Sequence, residues 1–322
     1  MFIAPFFQYR MEYFMKNVII FGIGGFVGNY LAQEFLDHGY AVCGSDIAEN
    51  KNLDAGVQFY KADLLDAEQV LHLVQMVNPD IIVNLAAISS VGQSWNMPQT
   101  TVEVNVVGAL NIMEAARKQE KKPRVLFVGS SEEYEVQDAD IDESVPLNAN
   151  NPYGISKMTQ ESFAKLYRER YDMKVYCVRP FNHTGIGQKD SFVLPSFCKQ
   201  VAGIEKSRKP GTIQVGNLSA IRDFSHVKDI VRAYRMIVES ENCERIYNVG
   251  SGEAYSIREM LDYIISLCSQ AVTVEVDPAR VRPVDTPRIC CDNHLIREEL
   301  GWQPEYSIRD AIKEMYQYYV EQ

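Results

Sequence analysis

The 322-residue chain contains no apolar run that reaches the roughly 18 residues a membrane span requires. It also has no basic excess: 32 Lys and Arg face 43 Asp and Glu, giving a formal charge of -11 and a pI near 5.1. Such a surface repels phosphate backbones and anionic lipid, so neither nucleic acid nor a membrane is expected as the main partner. There is no CxxC pair and only five scattered histidines, so no metal site is expected. Seven cysteines lack the regular spacing of a disulfide framework, and Cys290 and Cys291 are adjacent, a poor geometry for pairing with each other. They point to a reducing compartment, the cytoplasm. The opening "MFIAPFFQYRMEYF" lacks basic residues ahead of its short apolar part and has no small-residue cleavage site, so it does not read as a signal peptide. Residues 1–14 are expected to form a loosely held extension before a fold that starts near Met15.

A 46% hydrophobic content supplies a sizeable core. From 17 to about 178, short β-branched runs alternate with helical patterns: "NVIIFG", "YAVCGSD", "VQFYKAD", "DIIVNLAA", "RVLFVGSS" and "KVYCVRP". Runs apolar on both faces indicate a parallel sheet covered by helices. Amphipathic stretches at 27–38 and 105–119 read as two of those helices. After Arg179 the texture changes to loops and isolated helices, one expected over 193–205, while "RIYNVG" (245–250) resembles the earlier strands and is expected to return to the sheet. The fold class is therefore α/β, a doubly wound parallel sheet with a smaller C-terminal substrate-binding lobe. The expected boundaries are 15–180 plus about 225–250 for the sheet domain and 181–224 plus 251–322 for the lobe, with a cleft between them.

"IIFGIGGFVGNYLAQEFLDHGYAVCGSD" places Gly22, Gly25 and Gly28 between a strand and a helix. Gly22 allows the tight turn, Gly25 the approach of backbone to a pyrophosphate, and Gly28 the packing of helix on sheet, as in a Rossmann dinucleotide-binding unit. Asp46 ends the next strand, where a carboxylate accepts hydrogen bonds from an adenosine ribose and repels a 2′-phosphate. NAD(H) is thus favoured, with NADP(H) as the alternative because Lys51 lies a few positions on.

"NPYGISKMTQESFAKLY" opens a helix that carries Tyr153 and Lys157 on one face. An ammonium near a phenol favours the phenolate, which lets the tyrosine exchange a proton near neutral pH despite an ordinary pKa of about 10. Together with "GSS" at 129–131, "NLAA" at 84–87, "KADLLD" at 61–66, "RPFNHTG" at 179–185, "RDFSHVKD" at 222–229 and "RPVD" at 282–285, these motifs run in order from Met15 onward. The chain resembles the extended short-chain dehydrogenase/reductase family, the nucleotide-sugar epimerases, dehydratases and reductases.

Carried over residue by residue, the resemblance implies that Ser130 hydrogen-bonds the sugar O4 and that Tyr153 is the acid/base, with Lys157 lowering its pKa and binding the nicotinamide ribose. It implies cofactor contacts at Gly22, Gly25, Phe26, Val27 and Gly28, at Asp46, at Asp63 and Leu64 beside adenine, and at Leu85, Ala86 and Ala87 beside the phosphates. Asn105 neighbours the cofactor, and His183 lies near the nicotinamide end. Ser131, Asn182, Val193, Arg222 and Arg282 fall at substrate positions; Asn182, Arg222 and Arg282 match those that hold a diphosphate. A homodimer through the helices at about 96–118 and 153–170 is implied by the same likeness.

The lobe looks most like that of GDP-4-dehydro-6-deoxy-D-mannose reductases, relatives of the GDP-mannose 4,6-dehydratases. The first reading is reduction of the C4 ketone with NAD(P)H, which makes GDP-D-rhamnose; the others are a 4,6-dehydratase acting on GDP-mannose or another nucleotide hexose, and a nucleotide-sugar 4-epimerase. Glu132 stands where the dehydratases place a catalytic glutamate, while "GIGGFVG" lacks their "GxxGQDG" form. Glu133 is expected to point away, into solvent or the neighbouring turn.

Overall fold

The computed structural model describes residues 15–49, 53–280 and 286–322. Six of the apolar runs form strands β1 (Asn17–Phe21), β2 (Ala41–Asp46), β3 (Val57–Lys61), β4 (Ile81–Asn84), β5 (Arg124–Val128) and β6 (Val175–Pro180). They lie in the order β3-β2-β1-β4-β5-β6, and Ile246–Val249 returns to extend the sheet beside β6. Every pairing in this seven-stranded sheet is parallel. The period of two along β1 explains why both faces are apolar: Val18 and Ile20 enter one helical layer, Ile19 and Phe21 the other. One layer holds the helices Phe26–Asp37 and Val227–Glu239 with the buried Trp302. The opposite layer holds Ala67–Val77, Gly108–Arg117 and Pro152–Tyr171.

The helix expected over 105–119 is not regular. It opens with a π-helical turn, Glu103–Val107, and becomes α-helical only from Gly108 to Arg117. The buried Asn105 in that turn exchanges hydrogen bonds with both the N–H and the carbonyl of Ile88 (2.8 and 3.2 Å) and donates to Ser156 Oγ at 2.9 Å. Such an inserted residue turns a side chain off the helical register toward a neighbouring segment.

The chain leaves the sheet through Phe181, whose N–H donates to Val249 O at 2.8 Å, and enters a second sheet in which Asn182–Thr184 pairs with Ile221–His226. Ala254–Ser256 and Arg288–Ile289 flank the latter strand. Helices Val193–Ser207, Ile257–Ser266 and Ile308–Glu321 enclose a separate apolar core, in which Met260, Leu261 and Ile264 are buried. At the far, N-terminal edge of the first sheet, Arg124 at the start of β5 closes the end of helix Val227–Glu239. Its Nη1 donates to the carbonyls of Val238, Glu239 and Ser240 at 3.0, 2.9 and 2.6 Å, satisfying acceptors that a helix C-terminus leaves unpaired.

All seven cysteines are free thiols. Among the described residues, no helix is long and apolar enough to cross a membrane, and no three His, Cys, Asp or Glu side chains come together as a metal site.

Candidate active site

In an open parallel sheet the ligand site lies at the carboxyl ends of the strands, where the order reverses, here between β1 and β4. Gly22 follows β1 with φ +79°, and a Cβ there would stand 2.5 Å from Ala86 N and 2.7 Å from Ala86 Cα. The two loop backbones touch, and Leu85 N–H donates to Phe21 O at 2.9 Å. Gly25 sits at the N-cap of helix Phe26–Asp37 and supplies no capping side chain, so the helix start presents its N–H groups to an anion. The buried Asn84 donates nothing from Nδ2 among the described residues, which leaves an unpaired donor beside the same crossing. A cradle without side chains, an open helix start and an orphaned donor fit a dinucleotide pyrophosphate.

Asp46 flanks this cradle. Its carboxylate accepts from Gly24 N at 3.0 Å and from Ile47 N at 2.7 Å, so it ties the glycine turn. Asp63 caps its own turn by accepting from Leu65 N at 2.9 Å, and Leu64 is buried with its carbonyl accepting from Asn111 Nδ2 at 2.7 Å. His183 stacks on Phe26 with ring centroids 6.2 Å apart and planes 14° apart; burial lowers its pKa, which keeps the ring neutral. The lobe strand Asn182–Thr184 thus reaches the start of helix Phe26–Asp37 through His183; Val27 and the buried Gly28 follow Phe26 on that helix.

The second half of the site hangs on helix Pro152–Tyr171. Asn151 caps it by accepting from Gly154 N at 2.9 Å, Pro152 occupies the first helical position, and Ser94 Oγ accepts from Tyr153 N at 3.2 Å. Tyr153 and Lys157 are both buried, with the ammonium 6.0 Å from the phenol ring centroid. Lys157 Nζ donates to Val128 O at 2.7 Å and to Gln160 Oε1 at 3.3 Å. Burial pushes the lysine down to about 8, and Glu133 opposes that shift. Burial also raises the Tyr153 phenol above its ordinary value, with Glu133 and Glu132 adding to the rise; a hydrogen bond from Ser130 works the other way. Lys157 is not among the groups that act on the phenol; its ammonium is bonded to the end of β5 and to Gln160 instead.

"GSSEEYE" resolves into a short 3-10 turn, Ser131–Glu133, closed by a capping box. Ser130 Oγ accepts from Glu132 N at 3.1 Å, and the Glu133 carboxylate accepts from Ser130 N at 2.6 Å. Ser130 thus both caps a turn and faces Tyr153. Ser131 is buried beside it. Glu132 is half-buried and its Oε2 accepts from Asn151 Nδ2 at 3.0 Å, which fixes it at the head of the tyrosine helix. Glu133 does not point into solvent: it is fully buried beneath the strand end, where the turn directs it inward to complete the box.

In the lobe sheet, Asn182 stands opposite Phe224, two positions beyond Arg222 on the adjacent strand, so one face carries both. Arg222 is followed on its strand by Asp223. That aspartate is buried and accepts from the N–H groups of Ser251, Gly252 and Cys291 at 3.0, 2.9 and 3.2 Å. Val193 opens helix Val193–Ser207. Arg282 lies outside the described residues, as does Lys51.

Sequence reasoning missed Ser94, Asn151, Glu133 and the pair Arg179–Glu161. Arg179 joins Glu161 through two nitrogens and donates to Tyr134 Oη at 2.8 Å; Tyr134 in turn donates to Asn248 Oδ1 at 2.6 Å. The spacing Ser130-x-x-Glu133 was the available signal for the capping box.

A dinucleotide cradle facing a buried serine, tyrosine and lysine defines a nicotinamide-dependent enzyme of the extended short-chain dehydrogenase/reductase class. More particularly, the chain belongs to the GDP-mannose 4,6 dehydratase family, whose model matches residues 19–315. It is 28% identical over 301 residues to the GDP-6-deoxy-D-mannose reductase of Pseudomonas aeruginosa, covering 92% of this chain and 95% of that one. With the GDP-mannose 4,6-dehydratase of Vibrio cholerae the identity is 28% over 346 residues, covering 93% and 92%. Among solved structures, RMD from Pseudomonas aeruginosa complexed with NADPH matches with a TM-score of 0.84 and 25% identity, over 95% of this chain and 99% of that one. UDP-glucose 4-epimerase of Thermus thermophilus in complex with NAD matches with a TM-score of 0.84 and 27% identity, over 94% and 98%.

The contact of Gly22 with Ala86 gives a direct test. Gly22→Ala should cost on the order of 2 kcal/mol through its positive φ and the forced separation of the two loops, and should weaken dinucleotide binding at least about tenfold. Thermal unfolding and NADH fluorescence titration measure the two effects.

Proposed function

We propose that the enzyme reduces the C4 ketone of GDP-4-dehydro-6-deoxy-D-mannose with a nicotinamide dinucleotide. The observation that carries this reading is the convergence of Ser130, Tyr153 and Lys157 after β5, in the sheet whose β1 end carries the Gly22 crossing. Collinearity supports the reductase: its alignment spans 301 residues, whereas the dehydratase needs 346 to cover nearly the same share of this chain. Insertions present in the dehydratase are absent here.

A reduced nicotinamide held at the glycine crossing would supply the hydride for C4. Tyr153 donates its proton to O4, Ser130 donates a hydrogen bond to the oxygen as charge develops, and the Lys157 ammonium offsets the phenolate that remains. The high proton affinity of the buried phenol suits a group that starts the step protonated. Arg222, Asn182 and Arg282 would hold the diphosphate, with Ser131 and Val193 lining the sugar and nucleotide sides. Asp46 favours NAD(H), its carboxylate repelling a 2′-phosphate. Free cysteines and the acidic surface support a cytoplasmic reaction.

One observation favours 4,6-dehydration as the second reading. Glu132, held by Asn151 beside the tyrosine helix, adds a carboxylate whose charge reaches Tyr153. A dehydratase needs such a group to remove the C5 proton.

Incubation with GDP-4-dehydro-6-deoxy-D-mannose should consume one reduced nicotinamide per product, and Tyr153→Phe should lower kcat by roughly 10²–10⁴. Loss of water from GDP-mannose without added nicotinamide, abolished in Glu132→Gln, would replace the reductase reading with the dehydratase. Asp46→Ala should relax discrimination against NADP(H) by about tenfold, the worth of one charge-assisted hydrogen bond; unchanged selectivity would leave Asp46 as a turn residue. The exposed apolar face of helix Pro152–Tyr171, where Ile155 is 51% and Leu166 55% exposed beside Met158 and Phe163, supports a homodimer. Light scattering should find a dimer that Ile155→Glu dissociates; a monomeric wild type overturns the assignment.

A further inference from the structure

The end of β5 is held by side chains at two backbone groups on either side of Gly129. Lys157 Nζ takes the Val128 carbonyl at 2.7 Å, and Glu133 Oε1 takes the Ser130 N–H at 2.6 Å, two residues further on. Gly129 lies between them, and any Cβ at that position would collide with Glu133 Oε1, so the carboxyl occupies space that only a glycine leaves open. The second oxygen, Oε2, is buried and has no hydrogen-bond partner among the described residues. Arg179 on β6 does not pair with it, being joined to Glu161 and Tyr134. A buried carboxyl in this position is costly as a plain turn cap.

We propose that Glu133 is a positioning residue for the reacting groups: from beneath the strand end it seats Ser130 and serves as the buried counter-charge of Lys157. The groups that face it are Lys157, Tyr153 and Glu161 on helix Pro152–Tyr171, Arg179 and Cys177 on β6, and Ser130 on its own turn. Burial, first, and Glu161, second, raise the Glu133 carboxyl from 4.5 to about 8, while Arg179, the Ser130 N–H and Lys157 pull it down. Glu133 in turn raises both Lys157 and Tyr153. As pH rises, the proton lost from Glu133 leaves an anion that keeps the ammonium of Lys157 charged. The lysine therefore retains its positive charge at a pH where burial alone would remove it.

The inference rests on the proposed proton transfer at Tyr153, and Glu133→Gln in the full-length enzyme tests both with separable outcomes. The amide oxygen still accepts from Ser130 N–H, but the group no longer titrates. In turnover, the alkaline limb of kcat should move to lower pH by about half a unit or more, with KM within about twofold. Glu133→Leu, which also removes the acceptor, should lower kcat at every pH. An alkaline limb identical to wild type in Glu133→Gln overturns the counter-charge role.

A second measurement needs no substrate. An acid whose folded pKa is raised stabilises the fold fully below its unfolded value, and that contribution is lost as pH rises through the folded value, here between 4.5 and about 8. The Tm of Glu133→Gln should therefore gain on wild type progressively across that window. A constant difference overturns the inference. If wild type turns over neither GDP-sugar, the functional reading fails while this comparison still decides the state of Glu133.

Discussion

The contact between the backbones of Gly22 and Ala86 is the constraint on which the rest of the structure depends. It brings the carboxyl ends of β1 and β4 together at the point where the strand order reverses, and it leaves no volume for a side chain. The helix that follows Gly25 must then start against the sheet edge, with its N–H groups facing outward. The loop after β4 must turn toward Ile88, where Asn105 secures it from the π-helical turn and passes the restraint to Ser156 on the tyrosine helix. One sterically enforced crossing is thus connected by hydrogen bonds to the placement of Tyr153.

The two halves of the site use different physics. The glycine crossing is built from backbone and from missing side chains, a surface that fits an anion, with the Asp46 carboxylate tied to its rim. The catalytic side is built from desolvated ionisable groups, in which burial opposes charge on Lys157, Tyr153 and Glu133 together. Low dielectric makes these groups sensitive to each other over several ångströms. His183, stacked on Phe26, joins the lobe strand to the cofactor side.

The sheet was legible because strands buried on both faces are apolar along nearly their whole length, as in the "VIIF" of β1, and such runs survive any change of register. Tyr153 and Lys157 were legible because a four-residue spacing on a capped helix fixes a shared face. The two adjacent acids were not separable by composition. Glu132 and Glu133 differ only by one step of a 3-10 turn, which directs the first to Asn151 and the second under the strand, so the capping-box spacing from Ser130 carried information that the catalytic motif concealed. The environment of the Tyr153 phenol was hidden for a related reason. Spacing shows that a lysine is near, but not that its ammonium is bonded to Val128 O. The interruption of the helix at Asn105 had no periodic signature, since a π turn adds a residue without changing residue type.

Arg124 gives the molecule a closed frame. By clasping the last carbonyls of helix Val227–Glu239 to the start of β5, it fastens the segment that returns from the lobe onto the segment that precedes the departure. The strand pair Asn182–Thr184 and Ile221–His226 joins outgoing and incoming chain on the other side. What lies between, including helix Val193–Ser207, is topologically a loop whose two ends are pinned at a fixed separation. Closing such a loop costs only about 0.6 kcal/mol more for each doubling of its length. A frame of this kind can accept longer or shorter excursions at that point while its strand order stays the same, so substrate choice can diverge by insertion while the hydride-transfer half remains unchanged.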